Sequence, residues 1–200
     1  MTRRERDFIA LYNALWYQDF PVIPGHEDLG KRAVWTTHIA STVKKCSDLM
    51  GLFTCFESGG RTDAVIQNAN REAWAKVEWE WFQPKHEKVN EIHKLADAYG
   101  QANAFIFIGY SKTEHHADNL AKIKETWGSL DKPLIVILVT YSYQGRRRQF
   151  NSVQSHYIKN GRHKQTRKQP ALPWQVEGTK WAAQAGLVSV IDRQGDGGEV

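Results

Sequence analysis

The order of elements along the chain predicts an α/β fold, a mixed β-sheet flanked by helices on both faces. Two observations carry this. Three short strand-like segments joined by tight turns follow two amphipathic helical segments, and two apolar runs, "AFIFIGY" and "PLIVILVTY", each follow a further helical pattern. With 200 residues, 41% hydrophobic and 24% charged, the chain is long enough to bury a core as a single domain over 1–200.

Each element has a local cause. Phe8, Leu11, Leu15 and Trp16 recur at helical spacing and predict a helix over Arg4–Gln18, which the stretch "PVIPGHEDLG" breaks. Ile39, Val43 and Cys46 give the inward stripe of a second helix over Thr36–Met50, ending near Gly51. "LFTCFE" and "TDAVIQN" read as strands joined by the Gly-rich "SGGR", and "ANRE" leads to a third strand, "AWAKVEWEW". Turns this short favour an antiparallel meander. A helix is predicted over Glu87–Tyr99, closed by Gly100; then come the strand "AFIFIGY", a short helix around His115–Trp127 and the central strand "PLIVILVTY". These place the core at about 36–142. Beyond Ser142 the basic segment 143–170 reads as loop or partial helix, "TKWAAQAGLVSVID" as a helix followed by a strand, and 193–200 as a flexible tail.

The formal net charge is +5, and its distribution is uneven. Between Gln144 and Lys168 lie Arg146, Arg147, Arg148, Lys159, Arg162, Lys164, Arg167 and Lys168, with no Asp or Glu among them. Such a segment, interleaved with Phe150, His156, Tyr157 and His163, suits a nucleic acid: cations displace condensed counterions and rings lie on bases or sugars. The plainer account is a solvated basic loop. No stretch approaches the roughly 18 apolar residues of a membrane span, and the basic N-terminus leads into an amphipathic pattern, so the expectation is a soluble, cytoplasmic protein without membrane contact. Cys46 and Cys55, the only cysteines, have no metal-ligand spacing and are expected to be buried thiols.

In "KVEWEW" a period of two puts Lys76, Glu78 and Glu80 on one strand face and Val77, Trp79 and Trp81 on the other. Asp63 opens the preceding strand, so Asp63, Glu78 and Glu80 converge if the two strands are neighbours. Converging carboxylates raise each other's proton affinity unless a cation lies between them, and a hard divalent ion binds through one or two of them plus water. Taken alone, paired glutamates are more often the solvated face of an edge strand.

The arrangement "GGRTDAVI" followed by "AKVEWEW" resembles the PD-(D/E)XK nuclease superfamily, over about Thr36–Tyr110. The resemblance implies a restriction-endonuclease-like fold and a metal-dependent endonuclease that hydrolyses DNA phosphodiester bonds with Mg2+, or with Mn2+ in its place, with type II restriction-like enzymes among the activities it points to. It also implies that Asp63 and Glu78 hold the metal, with Glu57 at the end of the first strand as an additional acid. Thr62 stands where the motif has Pro, and Glu80 where it usually has Lys. Glu80 is then a second-ion ligand or general base, and Lys76 a candidate for the missing cation. Nucleases that cut both strands often act as two-fold homodimers. The competing function is a catalytically inactive protein of the same fold that binds nucleic acid or a protein partner.

Other chemistries have less support. "TEHHAD" offers His115 and His116 beside Glu114 and Asp118, but adjacent histidines point apart on a helix. His38 and Ser41 would lie near Asp63 under the family core. No G-x-S-x-G elbow, P-loop or G-x-G-x-x-G occurs, which argues against acyl transfer and nucleoside triphosphate chemistry.

Overall fold

The computed structural model describes residues 1–24, 31–58, 62–86, 89–128 and 130–182. Two helices come first. α1 (Arg3–Leu15) starts with a capping box, in which the Thr2 hydroxyl accepts from the Glu5 N–H and the Glu5 carboxylate from the Thr2 N–H. α2 (Arg32–Leu49) begins a turn earlier than predicted, because Trp35 extends the Ile39, Val43, Cys46 stripe by one helical step.

The strands follow one another across the sheet in chain order. β1 (Phe53–Ser58), β2 (Thr62–Gln67) and β3 (Ala73–Glu80) form the predicted antiparallel meander. α3 (Glu91–Asp97) then crosses to β4 (Ala104–Lys112), and α4 (His116–Trp127) to β5 (Leu134–Gln144), both strands running parallel to their predecessor. β6 (Arg147–Lys159) and β7 (Arg162–Pro170) return antiparallel, giving a mixed sheet of seven strands among the described residues.

Alternation along β4 and β5 divides the core between the two faces. Ile106, Ile108, Ile135 and Ile137 join Phe8, Tyr12, Trp35 and Val43 under α1 and α2, while Phe105, Phe107, Leu134 and Val136 join Leu95, Ile123 and Trp127 under α3 and α4. Both crossover helices share a face because the strand order advances steadily, so connections of one hand return on the same side. Trp16 and Trp35 stack with centroids 6.0 Å apart at 17°, tying the end of α1 to α2. Truncating a buried ring of this kind costs about 3–5 kcal/mol.

The basic segment is a β-hairpin rather than loop or partial helix, and the sheet continues to Pro170, past the predicted core boundary at 142. β6 conceals its strand pattern because it buries polar side chains: Ser152, Gln154, Ser155 and His156 are all at most 9% exposed. They are satisfied laterally, as where the Thr140 and Ser152 hydroxyls meet at 2.7 Å. β7 is an edge strand whose side chains are mostly exposed, so it has no apolar face to read. Phe150 and His156 are 1% exposed, which removes them from the rings expected to meet bases. The strand predicted near the C-terminus and the tail at 193–200 lie outside the described residues.

Candidate active site

The pairing Ala64↔Val77 puts Asp63 across from Glu78 on adjacent strands. Ala64, Ile66 and Val77 face α1 and α2, so both acids face the α3 side. Trp79 packs from the opposite face, which is how one short stretch accommodates both rings and acids. Glu78 is 2% exposed. Its carboxyl is hydrogen-bonded to that of Asp63, whose Oδ2 also accepts the Trp79 N–H at 2.7 Å.

Two carboxyl groups can hydrogen-bond to each other only if one carries a proton. Burial raises the proton affinity of Glu78 most and the charge of Asp63 adds to it, taking its pKa up to about 8. Burial raises Asp63 as well, against the N–H of Trp79, which favours the ionised form. The charge of Lys94 opposes the rise on both acids. Lys94 lies in α3, with its Nζ 3.2 Å from Oε1 of Glu91. Oε2 of Glu91 is buried without a hydrogen-bond partner. Asp63, Glu78, Glu91 and Lys94 thus form one interacting cluster where α3 packs on β3.

As the side chains stand, no group of three or more His, Cys, Asp or Glu among the described residues is placed to hold a metal ion. The donor chemistry nevertheless fits Mg2+, which needs one or two carboxylates and keeps several waters. A cation between Asp63 and Glu78 would take the place of their shared proton, and the orphaned oxygen of Glu91 is a further acceptor beside them.

The other predicted residues occupy different settings. Oε1 of Glu80 accepts the N–H groups of Trp81 and Phe82 at 2.6 and 3.1 Å and faces Arg32 of α2 at 3.5 Å, so this carboxylate terminates β3. Lys76, 5% exposed, donates from Nζ to Oε1 of Gln101 at 2.6 Å, and burial lowers its pKa against the pull of Glu78. Glu57 is exposed on edge strand β1 at φ 50°, and the pairs Phe56↔Ala64 and Ser58↔Thr62 on either side bring it level with Asp63. His38 is buried among Trp16, Phe20 and Trp35 on the α1–α2 face, its Nε2 2.9 Å from the Trp16 carbonyl oxygen, so it does not lie near Asp63 as expected. His116 starts α4 with Nδ1 2.9 Å from the Ser111 hydroxyl.

Glu91 and Lys94 escaped the sequence analysis. Their i,i+3 spacing looks like an ordinary surface pair, and only the packing of α3 against β3 reveals their role.

The cations are concentrated at the other end of the sheet. β7, with Arg162, Lys164, Arg167 and Lys168 exposed, is four strands from β3, about 19 Å at about 4.8 Å per strand. Arg146 and Arg147 are exposed at the β5–β6 turn, and Lys159 is half-buried at the far end of β6.

No family model matches the chain, and no curated protein matches it. Among solved structures the chain is similar to the YaeQ protein from Xanthomonas axonopodis pv. citri, at 9% identity and a TM-score of 0.29, over 68% of this chain and 77% of that one. A likeness at this level carries no argument. Among the described residues, no helix is long and apolar enough to cross a membrane.

Proposed function

We propose that the chain is a Mg2+-dependent nuclease of the PD-(D/E)XK type, with a restriction-endonuclease-like arrangement built on β1–β3, α3 and β4. The observation that carries this is the buried Asp63–Glu78 pair, joined across β2 and β3 beside Lys94. Buried like charges cost stability, and groups so perturbed are preferred candidates for functional sites.

Asp63 and Glu78 would hold the ion. When bound, Mg2+ supplies Lewis-acid stabilisation of charge on a scissile phosphate and lowers the pKa of a bound water. The chain's own residues do the rest. Lys94 places an ammonium where the reacting phosphate's charge grows, and Glu91 orients it. Glu80 fixes the end of β3 through the two N–H groups it accepts, and Lys94 is the cation whose charge reaches both Asp63 and Glu78. β7 and the β5–β6 turn attract the phosphate backbone through exposed Arg and Lys side chains.

The test is incubation of supercoiled plasmid and linear single-stranded DNA with the protein in Mg2+, Mn2+ or EDTA, beside a Glu78→Ala control. Metal-dependent cleavage that disappears in the variant supports the reading. DNA retained in a gel shift without cleavage under any condition replaces it with a nucleic-acid-binding protein of the same fold.

A further inference from the structure

Of the arginines on β6 and β7, Arg148 alone is half-buried, and aromatic rings surround it. Its guanidinium carbon lies 4.1 Å from the ring centroid of Trp81 and 4.1 Å from that of Tyr141. Nη2 donates to the Tyr143 hydroxyl at 3.4 Å, while Nη1 is buried with no hydrogen-bond partner. Among the described residues no carboxylate forms an ion pair with it. A cation held in this way by rings is fixed in place yet keeps its full charge.

Arg148 lines a cavity of about 740 Å³ together with Trp81, Phe82, Lys85, Tyr141 and Tyr143, and among the described residues no Asp or Glu contributes to its wall. That volume falls within the range of small-molecule sites. Phe82 and Tyr143 are 47% and 49% exposed, so the core does not use these two rings. Phe82, stacked on His86, and Tyr143, which meets Arg148, both keep surface open to solvent beside Arg148 and Lys85, whose Nζ is 3.8 Å from Oδ2 of Asp118, and such rings and cations complement a base and a phosphate presented together.

The cavity sits beyond the C-terminal end of β3 and beside that of β5, the side on which parallel strands of open α/β sheets receive ligands. Trp81 is three residues past Glu78, about 10 Å along the strand.

We propose that this cavity takes one unstacked nucleotide of a single-stranded segment, its base on Phe82 and Tyr143 and its phosphate toward Arg148 and Lys85. The inference rests on the nucleic-acid part of the reading above and extends it: the chain holds its substrate with at least one base out of the duplex stack.

Fluorescence anisotropy of fluorescein-labelled dT12 in EDTA tests this without requiring cleavage. The full chain is compared with the Phe82→Ala/Tyr143→Ala double variant, whose replaced side chains are both exposed and whose melting curve checks the fold. The expected result is dT12 binding that weakens on the order of tenfold or more in the double variant, as loss of base stacking requires. Equal affinity in the two proteins, or no binding of dT12 by the unaltered chain, overturns the inference. Unlabelled rU12 and dTMP distinguish sources: competition by rU12 extends the site to RNA, whereas dTMP displacing dT12 at equal nucleotide concentration assigns the cavity to a free nucleotide and overturns the strand. Plasmid cleavage is read separately. A chain that binds dT12 through these rings but cuts nothing keeps the cavity and loses the nuclease.

Discussion

At β2 and β3 two carboxyl groups face each other inside the protein, whereas at β6, β7 and the turn before them most of eight cations stand in water. The first arrangement holds little charge and perturbs it strongly: Glu78, 2% exposed, keeps a proton up to about pH 8. The second holds much charge, at most of its positions in solvent, where the electrostatic cost is small. Under the proposed function, charge density marks the surface that would attract a polyanion, and burial marks the chemical centre. Lys94 falls between the two, an exposed cation whose field still reaches both buried acids.

The strongest way to break this contrast is to remove the acids. Asp63→Asn and Glu78→Ala are expected to lower metal-dependent plasmid cleavage by about a thousandfold, because each removes several kcal/mol of metal-mediated charge stabilisation. Glu78→Gln should do the same while raising the melting temperature at pH 7.5. The sign follows from the raised folded pKa. Its stability contribution is complete below the unfolded value near 4.5 and is lost as pH rises through about 8, so a neutral isostere escapes that loss. A melting temperature that falls in Glu78→Gln would contradict the shared proton.

Neutralising Arg162, Lys164, Arg167 and Lys168 together to Ala should act differently. Affinity for any duplex should fall by about a hundredfold at low salt, and the slope of log K against log salt should flatten by about 0.9 per phosphate contact removed. Filter binding across a salt series checks this. An unchanged slope would detach β7 from the nucleic acid.

The two ends should also diverge on acidification. Burial is the main cause that lowers His156 to about 3 and His38 to about 4; the charges of His163 and His116 lower His156 further. Their stabilisation is complete above the unfolded value near 6.5 and is lost as pH falls toward those folded values, up to about 1.4 kcal/mol per pH unit for each histidine. Urea melts at pH 7.5, 6.0 and 5.0 should show the midpoint falling. His156→Gln should flatten that dependence, and no flattening would count against the buried neutral ring. Glu78 already holds the proton it shares with Asp63 across this interval, so the loss should not originate there.

Smaller effects sharpen the middle of the comparison. Lys94→Met should move the acid limb of the pH–rate profile upward, because its charge favours the ionised form of both acids. Arg32→Ala removes a largely solvent-exposed guanidinium from its pair with Glu80 and from the Phe82 ring, and chemical denaturation should register about 1 kcal/mol.

The sequence made the strands legible where a buried apolar face repeated every second residue. β4 and β5 have such a face on both sides, and the β1–β3 meander was set by its short turns. β6 and β7 were hidden because β6 buries Ser, Gln and His through lateral hydrogen bonds and β7 buries almost nothing. Asp63 and Glu78 could be found because strand periodicity and an antiparallel turn suffice to oppose them. Glu91 and Lys94 could not, since a short helix gives no sequence signal of which strand lies beneath it. Glu80 shows the limit of periodicity: it shares the parity of Glu78, yet its carboxylate bends to the N–H groups of the next two residues.

Among the described residues the sheet ends in two strands, β1 and β7, each with one side unpaired there and able to recruit a further strand. β7 carries Arg162, Lys164, Arg167 and Lys168, so two such edges repel each other until salt or a polyanion neutralises them. β1 has Glu57 as its single charge and leaves Phe53 and Phe56 59% and 43% exposed. Concentrated solutions should therefore self-associate through β1, and substituting Lys for Thr54 on that edge is the first change to make for solubility.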